Sequence, residues 1–173
     1  MLYTDLLRLT VLLIGGEATA LAGVTVIAAN RSDDTLTLAL AAGWWVVATM
    51  AGIAAGRPER AAQAVSQALA ASRTATSLPA DSPGRIAIQR LWPLAAFALV
   101  CAGLAWLWPQ IAAIGTGYAI LFSLQMRNRE AAVLGVEDRD GVRFYVEPTS
   151  GLRPISLVRT PGLRRDTLAR EPA

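Results

Sequence analysis

The chain has 173 residues, 54% of them hydrophobic and only 17% charged, with a formal net charge of +3. A soluble domain carries about 25% charged residues, and here the deficit is local: residues 35–56 and 91–126 contain no charge at all. The chain has no histidine and a single cysteine, Cys101, which excludes a Ser-His-Asp triad, the usual zinc sites and an intrachain disulfide.

All 16 basic residues are arginine, which together with the many alanines reflects the codon usage of a GC-rich, bacterial genome. No P-loop or G-x-G-x-x-G sequence occurs, so nucleotide binding has no support. No catalytic, cofactor-binding or metal-ligating set can be assembled, and the reading is non-enzymatic.

The first apolar run covers residues 6–29, with Arg8 near its start and Glu17 at its middle. The second covers residues 36–56 and includes Trp44 and Trp45. Each is long enough for a hydrocarbon core of about 30 Å, which takes ~20 helical residues. Between them, Asn30-Arg31-Ser32-Asp33-Asp34 is a short polar turn. Arg8, the apolar stretch after it and Ala20-Leu21-Ala22 resemble a signal peptide. The run nevertheless continues unbroken through Val24, Val26 and Ile27, which favours a retained helix.

Residues 57–90 read as an Ala-rich helix started by Pro58, with Val65 and Leu69 on one stripe, and then a flexible linker through residues 74–84. Residues 91–107 and 109–124 are shorter apolar runs that form a hairpin reversing at Trp108-Pro109-Gln110. Trp92, Trp106 and Trp108 suit interfacial belts.

Beyond Glu130 the pattern changes. Val133, Leu134 and Val136 lead into Asp138-Arg139-Asp140-Gly141, and Val142, Phe144 and Val146 then alternate with polar residues. This predicts a β-hairpin turning at Asp140-Gly141. A third short strand is expected over residues 154–160, and a disordered end beyond Pro161-Gly162.

The predicted fold class is an all-α integral membrane bundle of four transmembrane helices, the last two a short hairpin, with a small cytoplasmic β-hairpin tail. Its sections are residues 1–56 (first helix pair), 57–90 (cytoplasmic helix and linker), 91–126 (hairpin) and 127–173 (tail). Arg57, Arg60, Arg73, Arg85, Arg90, Arg127 and Arg129 face one side, against Arg31 on the other. The positive-inside rule then places both termini in the cytoplasm of a multi-pass plasma-membrane protein.

Glu17 is the residue most open to a functional reading. An acid at the centre of a span costs roughly 2.5–3.5 kcal/mol, so it is expected to face the bundle interior and find a partner. At 1.5 Å per residue it lies ~16 Å from the cytoplasmic edge. Thr116, Trp45 and Cys101 come out at the same depth, with Thr49 and Tyr118 within a turn. Glu17, Thr49, Thr116 and Tyr118 therefore form the expected intramembrane polar site. Its structural reading is interhelical glue, and its functional reading is a proton or cation site.

Gly15, Thr19 and Gly23, then Gly16 and Ala20, and in the second run Ala48, Gly52 and Gly56, recur every four residues as small packing faces. A tail of about 40 residues cannot bury a core alone. Its Val142, Phe144 and Val146 face is expected to rest on the loop helix, the membrane or a partner protein. The favoured function is a non-catalytic accessory or scaffold subunit whose β tail docks a partner. The alternative is a small proton- or cation-coupled transporter or channel working through Glu17. The expected partners are the lipid bilayer and a protein partner or homo-oligomer, engaged through bundle and tail. Nucleic acid is not expected, because the arginines lack an aromatic or helical reading surface.

Overall fold

The computed structural model describes residues 1–70, 72–74, 82–151 and 153–161. The chain runs α1 (Tyr3–Arg31), α2 (Thr35–Ala55), α3 (Pro58–Ala70), β1 (Arg73–Thr74), α4 (Pro83–Leu104), α5 (Pro109–Met126), α6 (Arg129–Asp140), β2 (Val142–Val146) and β3 (Leu157–Pro161). Three helices, α1, α2 and α4, are long and apolar enough to cross a membrane.

The bundle is built around α5, which lies between α1 and α2 and also meets α4. Ala112, Ala113, Gly115, Thr116, Gly117 and Ala119 of this helix are buried. Small residues on both sides let the backbones approach closely. A Cβ at Gly52 of α2 would come within 3.0 Å of the Leu121 carbonyl oxygen, so the Ala48, Gly52 and Gly56 face is the one α2 turns to α5. Large side chains point the other way: Leu12, Val26, Leu40, Met50, Phe97 and Leu99 are exposed. The bundle is thus small inside and bulky outside, the reverse of a water-soluble core.

At one end of the bundle the packing inverts again. Tyr3, Leu6 and Leu7 of α1, Val65 and Leu69 of α3, Ile86 of α4 and Val133 of α6 form one buried cluster with Val142, Phe144, Val146 and Leu157 of the sheet. The sheet order is β1-β3-β2, with β1 parallel and β2 antiparallel to β3. Beyond β2, Leu2 bridges Tyr145, and Val146 donates its N–H to the Met1 carbonyl at 3.0 Å. Both chain ends of the described fold therefore meet in this cap, on the same side as α3 and α6.

Four sequence expectations change. The segment before Asp140-Gly141 is α6, a helix and not a strand. Gly141 sits at φ 62° as its left-handed cap and returns its N–H to the Glu137 carbonyl. An Asp-Gly pair serves a helix end as well as a hairpin turn, because both need positive φ. The hairpin partner of β2 is β3, reached through residues 147–156. Next, α4 begins at Pro83, so Gly84, Arg85 and Arg90 belong to it, and the expected boundary at residue 91 falls inside a helix.

The apolar strand face of the tail rests on the loop helix α3, one of the expected supports, and also on α1 and α6. Finally, Thr74 is the end of a strand and not the start of a linker. Residues 75–81 of that linker and the polar end from residue 162 lie outside the described residues.

Candidate functional site

Glu17 projects from α1 toward α4 into a cleft of about 400 Å3 walled by Leu13, Ala20, Leu21, Ala98 and Ala102. Its Oε1 is shut off from solvent yet has no hydrogen-bond partner among the described residues. The residues expected to complete the site are engaged elsewhere. Thr116, fully buried, donates its hydroxyl to the Ala112 carbonyl at 2.8 Å, and Thr49 donates to the Trp45 carbonyl at 2.7 Å. Both bonds run within a single helix turn, the usual way a threonine satisfies itself in a helix.

Tyr118 lies on the exposed side of α5, edge-on to Trp44 with ring centroids 5.6 Å apart. That indole sits where a Cβ on Gly117 would be, and the neighbouring Trp45 donates Nε1–H to the Ala113 carbonyl at 2.9 Å. The four residues share a depth, but no hydrogen bond joins them among the described residues. Depth fixes height along a helix and says nothing about which face a side chain takes.

Around Glu17 the α1 surface is open. Gly16, Thr19, Ala20 and Gly23 are exposed, and a Cβ built on Gly16 or Gly23 would meet nothing within 4 Å. Gly15, one step round the helix, instead faces Ser123 of α5. Gly15 alone of these small residues thus turns toward α5, and Gly16, Thr19, Ala20 and Gly23 form an open stretch of α1.

The chain matches no family model, and no curated protein or solved structure is similar to it.

The expected docking residues occupy a different setting. Val142, Phe144 and Val146 are all buried in the cap cluster. The free edge of β2 is closed as well: the buried carboxylate of Glu137 accepts the Phe144 N–H at 3.1 Å, and Met1 takes the next N–H along that edge, from Val146. The surface expected to dock a partner is filled by the protein's own chain.

Two features escaped the sequence reading. Arg90 holds the loop after β2, its Nη1 lying 2.9 Å from the Ser150 carbonyl and 2.7 Å from that of Arg153. At the opposite end, the Arg31 guanidinium carbon lies over Trp106, 4.4 Å from the ring centroid. Nearby, Asp34 caps α2 by accepting the Thr37 N–H at 2.9 Å and the Thr37 hydroxyl. These hydrogen bonds hold its carboxyl below the usual carboxylate range. Pro93 inside an apolar run was the available signal for the Arg90 region, because a helix proline frees the carbonyl four residues earlier.

Proposed function

We propose that this protein is a four-span plasma-membrane subunit with an accessory or scaffolding role and no chemistry of its own. Its partner contact is the open stretch of α1 at Gly16, Ala20 and Gly23, beside the Glu17 cleft. The observation that carries the reading is the Glu17 Oε1, which lacks a partner among the described residues and lies beside the open Gly16, Ala20 and Gly23 stretch. An acid left unmatched at that depth is costly, and a small-residue face allows another helix to come close enough to match it. The occupant is a transmembrane helix that presents a hydrogen-bond donor at the level of Glu17, from a second copy or from another subunit.

In this reading α5 is the fourth span, shielded by its neighbours, so it needs less apolar surface than they do. The arginines at the cap end support a cytoplasmic position for the cap. The cap braces the bundle, and partner recognition moves from the tail to the helices. Transport through Glu17 has less support, because the cleft around it is otherwise aliphatic and no second ionisable group lines it.

Light scattering and mass spectrometry of the full chain in mild detergent test the proposal. The wild type should run as a homo-oligomer or with a stoichiometric companion. Gly16→Leu and Ala20→Leu should each release a folded monomer, while Glu17→Gln should keep the assembly. A wild type that is monomeric and alone sinks the reading. A pH-dependent flux in proteoliposomes that vanishes in Glu17→Gln would establish transport in its place.

A further inference from the structure

At the end of the bundle away from the cap, a second cavity of about 400 Å3 opens between the last turns of α1 and the turn joining α4 to α5. Its wall is apolar, with Val24, Ile27, Ala28 and Ala105, and its rim carries Arg31 and Trp106. The size is within the range of small-ligand sites, about 300–1,000 Å3.

The chemistry of the rim is specific. The Arg31 guanidinium carbon lies 4.4 Å from the Trp106 ring centroid, an attraction between cation and π-face that holds the group at the rim. A guanidinium held beside a ring in this way offers N–H groups that donate in a fork that matches phosphate. No carboxylate pairs with Arg31 among the described residues, where the ion pair present is Arg139 with Asp140. Of the two nearby acids, Asp34 is committed to Thr37, and Asp33 does not line the cavity. The site therefore joins a cation held over Trp106, without an ion-pair partner among the described residues, to an apolar slot next to Trp106 and Trp108, both exposed.

We infer that this cavity holds an acyl chain of an anionic phospholipid drawn from the bilayer, with the lipid phosphate bound by Arg31. An arginine near the end of a span reaches the headgroup level, and the apolar wall below it continues the hydrocarbon environment of the chain. The inference rests on the membrane reading above and is independent of the Glu17 contact.

Native mass spectrometry of the full chain, offered phosphatidylglycerol and phosphatidylcholine in equal amounts, is the test. The wild type should retain one phosphatidylglycerol in preference to phosphatidylcholine. Arg31→Gln should lower that retention about tenfold, the loss expected for a charge-assisted hydrogen bond, and should abolish the preference. Arg31→Lys should restore part of it. Ala28→Phe, which fills the slot and leaves Arg31 in place, should reduce retention of both lipids. Inorganic phosphate should not compete, since it cannot fill the wall.

Equal retention of the two lipids by the wild type, or undiminished phosphatidylglycerol on Arg31→Gln, overturns the inference. Because Arg31 is exposed, the Arg31 variants keep the test decisive even if Ala28→Phe fails to fold. Fractionation of the wild type between membrane and cytosol reports the membrane reading separately.

Discussion

Gly151 donates its backbone N–H to the Gln89 carbonyl at 3.0 Å, and Gln89 is the residue whose carbonyl Pro93 leaves without its helical donor. The loop after β2 thus repairs a defect inside α4. Only glycine fits there: a Cβ at 151 would lie 2.9 Å from the Arg90 carbonyl oxygen and 3.0 Å from that of Gln89. Arg90 closes the same loop from the side-chain direction by bonding the Ser150 and Arg153 carbonyls.

Gly151→Ala should therefore separate the loop from α4, at a cost of roughly 1–3 kcal/mol as an overpacking change. Hydrogen exchange should show faster exchange through residues 149–153. Pro93→Ala should give the same loop phenotype by another route, because the new N–H competes for the Gln89 carbonyl. Unchanged protection in both variants would show that the two defects are not coupled.

Topology is open to direct labelling. In the proposed orientation Ser82 is cytoplasmic and Ser32 lies outside. In a Cys101→Ala background, an impermeant thiol reagent added to intact cells should mark a cysteine at Ser32 and spare one at Ser82. External labelling at Ser82 would reverse the orientation.

The cap of α2 carries a defined pH dependence. The Asp34 carboxyl is lowered by its bonds from Thr37. Its contribution is thus fully present above the unfolded value of about 3.9 and disappears as pH falls through the lower folded value. Asp34→Asn keeps an acceptor without a titrating proton. The wild type should lose more thermal stability than Asp34→Asn between pH 5 and pH 3. Parallel curves would remove Asp34 from the acid response.

The cap core should be separable from the bundle. Phe144 is 3% exposed within the cap cluster, and Phe144→Ala should cost about 3–5 kcal/mol. Gly141→Val should cost roughly 1–3 kcal/mol, because a β-branched residue must occupy a left-handed position. Both proteins should still insert, but become protease-sensitive beyond Glu130. Wild-type resistance in both would mean that the cap does not depend on this core.

Local pattern revealed much of the architecture. The long apolar runs, the reversal at Trp108-Pro109, the Val65 and Leu69 stripe and the alternation of residues 142–146 are each visible within a few residues. What escaped depends on contacts across the chain. Asp140-Gly141 carries the same positive-φ signal for two different structures, and only packing of Val133 and Glu137 onto the cap selects the helix end. Arg85 and Arg90 mark a water-facing stretch by composition, yet Ile86 between them is buried and draws the segment into α4. Glu17 lies in the middle of α1, but depth alone does not identify its neighbours. The missing angular coordinate comes from the α1 residues that face α5, Ile14, Ala18 and Leu21, which leave Glu17 turned toward α4.

The opposed packing of the two regions implies two thermodynamic personalities in one short chain. The cap is held by large apolar side chains withdrawn from water, so its stability carries a positive unfolding heat capacity, weakens on cooling and falls in urea. The small-residue seams around α5, in a bilayer, hold by close van der Waals contact and have little solvent-derived driving force. Chilling or mild urea should consequently melt the cap while the helices stay associated. A calorimetric trace in liposomes should resolve into a water-coupled transition with a heat-capacity step and a second event that lacks one.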